Sequence, residues 1–135
     1  MQWVQRETQR RLTEQLELST ASGSAVQQLR FEGLGSAGVL LKVRCNQPAW
    51  LSLYVSQAAL DADASRPQTE DPAPSAGVVC DLAFEAGTLE LLLPPGVSWA
   101  NQDEPVASVL HGRLRTVLVS PATVSLAVDN LVLSF

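Results

Sequence analysis

The feature that most constrains the fold is an alternation of apolar and polar side chains that runs into a proline-rich stretch. Leu51, Leu53 and Val55 alternate with Ser52, Tyr54 and Ser56. This period of two is typical of a half-buried β-strand. The alanine-rich segment Gln57–Ser65 follows, and it is long enough for about two helical turns. Pro67 and the prolines after it cannot donate backbone hydrogen bonds, so regular structure should end there.

Similar short runs recur along the rest of the chain. They are Leu12–Leu18, Ala25–Phe31, Val39–Cys45, Gly77–Phe84, Thr88–Leu93, Val106–Leu110, Arg113–Val119 and Thr123–Phe135. Short strands at fairly regular spacing, with little helix, are typical of two packed sheets. The sequence therefore predicts an all-β, single-domain β-sandwich or jelly roll with about eight strands, and one short helix or turn after the Trp50–Ser56 strand.

Turn residues predict how these strands connect. The tight turn Asn46–Pro48 and the turn Glu85–Gly87 each indicate a hairpin between the strands on either side. Pro94–Gly96 should end a strand abruptly, and Gly112 should separate two strands. The residues of the Val39–Cys45 run predicted to face inward are Leu41, Val43 and Cys45.

The first eleven residues are predicted to form an arm ahead of a β domain at residues 12–135. Trp3 and Val4 are followed by the wholly polar run Gln5–Arg11. A helix here would lack a continuous apolar face. Trp3 and Val4 are therefore candidate assembly contacts, which dock either on the same domain or on a neighbouring subunit.

Composition limits the expected partners. The net charge is −5 and the single lysine is Lys42. Nucleic acids and anionic membrane surfaces both require clustered basic residues, so we expect neither as a partner. The start of the chain lacks the apolar run of ~7–15 residues that export needs, and no apolar run approaches the ~18–20 residues of a membrane span. Synthesis in a cytoplasm is expected.

The densest group of acidic residues lies in the proline-rich stretch. Asp61, Asp63, Glu70 and Asp71 surround Arg66. A calcium site is one interpretation, but the spacing does not match an EF-hand loop. A glycosidase pair is another, and it needs two carboxyl groups held ~5–10 Å apart across a cleft. The favoured interpretation is a loop organised by hydrogen bonds between arginine and carboxylates, with no metal.

The remaining reactive side chains predict neither catalysis nor a cofactor. His111 is the only histidine and no nucleophile motif accompanies it,. Cys45 and Cys80 are too far apart in sequence to make a metal ligand set with it. A disulfide between them is one alternative if their strands are neighbours, but two reduced, buried thiols are favoured. We therefore predict no catalytic residues.

Three aromatic residues supply a candidate glycan contact. Trp50, Tyr54 and Trp99 could stack on a sugar, as aromatic side chains do in β-sandwich binding modules. The same residues could instead fill a core or a subunit interface. The two alternatives differ in whether the rings are open to solvent.

The central stretch resembles a known family. Its residues are Leu51-x-Leu53-Tyr54, Ala62-Asp63-Ala64-Ser65-Arg66-Pro67, Asp71-Pro72 and Gly77-Val78-Val79. In this order they resemble a family of short structural proteins of tailed bacteriophages and prophages, including cyanobacterial ones. The Ala62–Pro67 segment is the most specific part of the likeness.

The resemblance implies a structural component of a phage virion, located in the tail, baseplate or fibre attachment. Its expected partners are other virion proteins and copies of itself. The alternative function is a carbohydrate-binding module that recognises a host-surface glycan.

Overall fold

The computed structural model describes residues 10–135, and these form eight strands and one helix. The strands are β1 (Arg10–Thr20), β2 (Gly23–Phe31), β3 (Ala37–Cys45), β4 (Ala49–Tyr54), β5 (Val78–Phe84), β6 (Glu90–Ala100), β7 (Leu110–Leu118) and β8 (Ala122–Ser134). The helix α1 is Gln57–Ala62. Trp3 and Val4 lie outside the described residues. Arg10 and Arg11 fall within the predicted arm, but they are the first two residues of β1.

The strands form two four-stranded antiparallel sheets. The first sheet has the order β1-β8-β3-β6, and the second has the order β2-β7-β4-β5. One apolar core joins them, and its most buried members include Phe31, Leu40, Val43, Leu51, Leu53, Leu110, Leu114, Val124, Leu126 and Val128. The predicted all-β sandwich of about eight strands with one short helix is therefore confirmed. No helix of residues 10–135 is long and apolar enough to cross a membrane.

Both predicted hairpins are wrong. The turn Asn46–Pro48 leads from β3 in the first sheet to β4 in the second, and Glu85–Gly87 leads from β5 in the second sheet to β6 in the first. The Asn46 side chain explains the first crossing, because it bonds to β8 of the first sheet. Its Nδ2 donates to the Thr123 carbonyl at 3.0 Å, and its Oδ1 accepts from the Ser125 amide at 2.8 Å.

Two predicted strand breaks are also wrong. Pro94–Gly96 lies inside β6, which is an edge strand of the first sheet, so a missing N–H at this edge leaves no neighbour unbonded,. Gly112 lies inside β7, where an added Cβ would sit 3.3 Å from Leu53 Cδ2. Gly112 thus allows a close approach between strands and does not end one.

A register shift changes which residues of β3 face the core. The shift lies between Leu40 and Lys42. Leu40 is buried, whereas the predicted Leu41 is only partly buried. Val43 and Cys45 face the core as predicted. A bulge inserts one extra residue into the strand. Beyond it, side chains therefore face the opposite side from the one that a strict period of two predicts.

Strand β4 differs most from its prediction, because it is buried on both faces. Ser52 and Tyr54, expected on a solvated face, have no exposed surface. Residues 57–76, here called the covering segment, connect β4 to β5 and lie over the outer face of the second sheet. The polar side chains beneath this segment form the candidate site.

Candidate functional site

The covering segment begins with a well-capped helix. The Ser56 hydroxyl accepts a hydrogen bond from the Ala59 amide at 3.0 Å, as N-cap serines do. The Asp103 carboxylate accepts from the Gln57 amide at 2.8 Å. Gly77 follows the segment, has φ +77° and passes so close to α1 that a Cβ would lie 2.7 Å from the Ala59 Cβ. Only glycine fits this return to β5 without strain.

An ion pair between Asp63 and Arg66 is the centre of the site. Arg66 Nε donates to Asp63 Oδ1 at 2.8 Å, and Nη2 donates to Asp63 Oδ2 at 3.0 Å. Both side chains are only 8% exposed. The Tyr54 hydroxyl, from β4 below, donates to Asp63 Oδ2 at 2.6 Å. The pair therefore ties the covering segment to the sheet.

Arg66 extends this cluster to β5. Its Nη2 also donates to Asp81 Oδ1 at 2.9 Å, and its Nη1 donates to the Glu70 carbonyl at 2.8 Å. Asp81 accepts a further hydrogen bond from the Ser52 hydroxyl at 2.6 Å. One guanidinium thus joins two points of the covering segment, Asp63 and Glu70, to Asp81 of the second sheet.

The electrostatics agree with this geometry. Burial acts to raise the pKa of Asp63, but the hydrogen bonds from Arg66 and Tyr54 outweigh it and lower that pKa. Hydrogen bonds to Asp63 and Asp81 raise the pKa of Arg66. Burial, then the hydrogen bond to Asp63, raise the pKa of Tyr54. The ionised Asp63 carboxylate and the neutral Tyr54 phenol are therefore the favoured forms,.

Two arginines of β7 hold the covering segment from below. Arg113 Nη1 donates to the Leu60 carbonyl at 2.8 Å. The Arg115 guanidinium lies 3.9 Å from the centre of the Trp50 ring, a cation–π distance. Arg115 Nη2 makes long contacts of 3.5 and 3.4 Å to the carbonyls of Asp63 and Ala64, and its Nη1 is buried without a partner.

A second polar cluster lies beside the start of α1. His111 Nε2 is 2.6 Å from Asp103 Oδ2, and Asn101 Nδ2 donates to the same oxygen at 2.8 Å. Burial acts to raise the pKa of Asp103, but bonds from His111, Gln57 and Asn101 outweigh it and hold that pKa at about 2. His111 is 2% exposed and its Nδ1 has no partner within residues 10–135. Its visible role is to position the Asp103 carboxylate that caps α1.

The structure separates the predicted loop residues. Asp63 and Arg66 are paired, whereas Asp61 and Asp71 are exposed. Asp61 only accepts a bond from the Gln57 side chain at 3.0 Å. The other partners were not predicted, and they are Asp81, Arg113, Arg115 and Tyr54 in its bonding role. Polar residues at alternate strand positions look like a solvated face until another segment covers them.

The three candidate glycan residues do not meet on one surface. Trp50 and Tyr54 share the outer face of β4, but they are 8% and 0% exposed. Trp99 lies in the first sheet at 5% exposure, and its Nε1 donates to Asn130 Oδ1 at 3.0 Å. Arg115 covers the Trp50 ring.

The two cysteines lie in different sheets and are free thiols. Burial, followed by the nearby charge of Asp81, raises the pKa of Cys80 to about 12. Both side chains therefore pack as small apolar groups.

No group of three potential metal-ligating side chains lies together in the described part of the chain. Comparison with protein-family models, curated proteins and solved structures finds no match. The geometry defines the class of this protein: a two-sheet β-sandwich whose buried ionic groups hold a long connecting segment against one sheet.

Proposed function

We propose that this protein is a structural component of a phage virion, in the tail, baseplate or fibre attachment, and that it acts through protein–protein contacts. The observation that carries the proposal is a pair of exposed valines on the outer face of the second sheet, outside the covering segment. Val26 of β2 is 62% exposed and Val117 of β7 is 78% exposed. Exposed apolar side chains grouped on one face favour a contact with another protein.

The arrangement of the polar groups supports a structural role. The cluster around Asp63 and Arg66 binds parts of the same chain to each other, and its members are mostly buried. Such a cluster makes the β4–β5 connection rigid, which suits a building block in a repeated assembly. The family resemblance of the central stretch supplies the virion as the setting. The proposed partners are other virion proteins and copies of the chain, and no catalysis is proposed.

The glycan-binding alternative has less support. A sugar platform requires an aromatic face that is open to solvent. Trp50, Tyr54 and Trp99 are all buried. The assembly proposal is therefore the one that the geometry favours.

Incorporation into purified particles tests the proposal. The full chain should copurify with virions, and imaging should place it in the tail. Val117→Lys puts a charge on the proposed contact and should reduce incorporation by about tenfold, the effect of ~1.4 kcal/mol. Glu17→Lys is the matched control, because it changes an exposed residue of β1 in the first sheet. A chain that is absent from purified particles would overturn the proposal.

A further inference from the structure

We propose that the free edge of β1 pairs with β1 of a second copy of this chain, antiparallel and about a twofold axis at Glu14. The inference goes beyond the proposed function, because self-association through this edge does not require a virion. Three features carry it: an open strand edge, charges of both signs along that edge, and a register that places opposite charges face to face.

The edge of β1 is long, regular and open. β1 ends the first sheet, and no strand of residues 10–135 pairs with its other side. Its eleven residues pair with β8 without a register shift. Such an edge presents a row of free N–H and C=O groups, which is a template for another strand. The opposite edge of this sheet, β6, is protected by Pro94 and Pro95, because prolines cannot donate to a ladder,.

Of the four edge strands, only β1 carries charged residues of both signs. The other three contain one charged residue each: Arg30 in β2, Asp81 in β5 and Glu90 in β6. In β1 the basic residues come first and the acidic residues follow, in the order Arg10, Arg11, Glu14, Glu17. An antiparallel second copy therefore brings its acidic half to the basic half of the first. Opposite charges across two strands are favourable, and like charges are not.

A twofold axis at Glu14 makes this match direct. It puts Arg11 opposite Glu17 of the second copy, and the same pair occurs twice in the dimer. Both side chains are exposed, Arg11 by 62%. On the other face of the strand, the partly buried Leu12 meets Leu16 of the second copy. Both faces of the new strand pair are therefore complementary.

The neighbouring registers lack this match. Side chains of one face must meet side chains of the same face, so the axis moves by whole residues. An axis at Thr13 would put Arg11 opposite Gln15, and an axis at Gln15 would put Arg11 opposite Ser19. Pairing about Glu14 uses the open edge of both copies, so the assembly closes as a dimer.

Glu14 meets its own counterpart at the axis, which by itself is unfavourable. Its carboxylate is already bonded within its own chain, however. It accepts from the Gly33 amide at 2.6 Å and from the Glu32 amide at 3.3 Å. The two Arg11–Glu17 pairs and the added backbone ladder therefore outweigh this one contact.

Sedimentation equilibrium of the full chain, at up to about 1 mM, tests the inference. The unaltered chain should form a dimer. Glu17→Lys places a second cation opposite Arg11 in both charge pairs, and it should weaken the dimer by at least about tenfold. Glu85→Lys makes the same change at an exposed residue between β5 and β6, which form the other edges of the sandwich. It should leave the dimer unchanged.

A mixture of two variants tests the register. Arg11→Glu by itself creates two like-charge pairs and should also weaken the dimer. Mixed with Glu17→Lys, it forms a dimer in which both charge pairs are attractive, so the mixture should associate about tenfold more tightly than either variant alone. Arg11→Glu also loses the bond to Asp129. Its amide spectrum reports whether it folds, and Arg11→Gln is the substitute.

Hydrogen exchange of the β1 amides is a second readout. A free edge leaves every other amide without a backbone acceptor, whereas pairing about Glu14 should protect the amides along residues 10–18. Four outcomes would overturn the inference. These are a monomer at about 1 mM chain, a Glu17→Lys dimer as tight as the unaltered one, a mixture no tighter than its components, and fast exchange of alternate β1 amides in the dimer.

The β1 edge and the valine face are tested separately. Glu17→Lys leaves Val26 and Val117 unchanged, so it should lose the dimer and still enter particles. A monomeric chain that enters particles would end this inference and leave the proposed function in place. A dimeric chain that is absent from particles would do the reverse.

Discussion

The outer faces of the two sheets carry similar charged residues in different surroundings. On the first sheet, Arg11, Asp129, Lys42 and Glu90 form a charge ladder that crosses β1, β8, β3 and β6. Its successive N–O distances are 2.9, 3.7 and 3.2 Å. Arg11 and Glu90 at its ends are 62% and 53% exposed. On the second sheet, Asp63 and Arg66 are each 8% exposed.

The difference is that covering buries both partners of the Asp63–Arg66 pair, whereas in the ladder only the Asp129 carboxylate is buried, at 8% exposed, and the Arg11 cation stays open to water. An exposed pair contributes little, because water and salt screen it and the side chains lose entropy. A buried pair is costly to break, because the remaining charge has no solvent. The covering segment therefore buries the polar face of β4, and the buried bonds of Asp63 hold the segment against the sheet. The ladder of the first sheet has no such segment above it among residues 10–135.

The largest effect is expected from Arg66→Gln. It leaves Asp63 and Asp81 without their shared cation in a buried site. We expect the free energy of unfolding to fall by about 3 kcal/mol, measured by urea denaturation. Arg11→Gln removes the exposed cation of the ladder and should cost at most about 1 kcal/mol, less in high salt. Equal losses in the two variants would remove the distinction between the faces.

An intermediate effect is expected on acidification. The folded pKa of Asp103 is about 2, below its ordinary value of 3.8. A lowered pKa stabilises the fold above the unfolded value, and this contribution is lost as the pH falls through the folded value. Roughly 2 kcal/mol should therefore disappear between about pH 4 and pH 2.

Asp103→Asn provides the comparison for the acid effect. Its unfolding free energy at neutral pH should be lower, and its decline below about pH 4 should be correspondingly shallower. Urea denaturation at several pH values measures both. Parallel curves for the two proteins would show that Asp103, and with it the cap of α1, does not contribute to the acid sensitivity.

The smallest effects are expected from removing one hydrogen bond between a hydroxyl and a carboxylate on each face. The Tyr54 hydroxyl donates to Asp63 at 2.6 Å, and the Thr13 hydroxyl donates to Asp129 at 2.7 Å. Tyr54→Phe should cost about 1.5 kcal/mol, because the bond is buried and charged. Thr13→Val should cost less, about 1 kcal/mol, because Thr13 is exposed although its acceptor Asp129 is only 8% exposed,. A reversed order in denaturation experiments would contradict the comparison.

Part of the candidate site could be predicted from nearby residues. Arg66 stands three residues after Asp63, so its role as counter-ion within the loop required only local geometry. Asp81 and Arg115 could not be predicted in the same way. They reach the site from β5 and β7, and their positions depend on strand order and register.

The sequence by itself determined that this chain forms short strands in two sheets, because alternation and turn residues act between near neighbours. Only the tertiary structure decided which strands pair and which faces are covered. The residues Asn46–Pro48 predict a turn, but the strands on its two sides lie in different sheets,. Burial of Tyr54 and Ser52 likewise required residues 57–76 to fold back over β4. Strand pairing and the covering of a sheet face depend on long-range packing, which local side-chain patterns do not report.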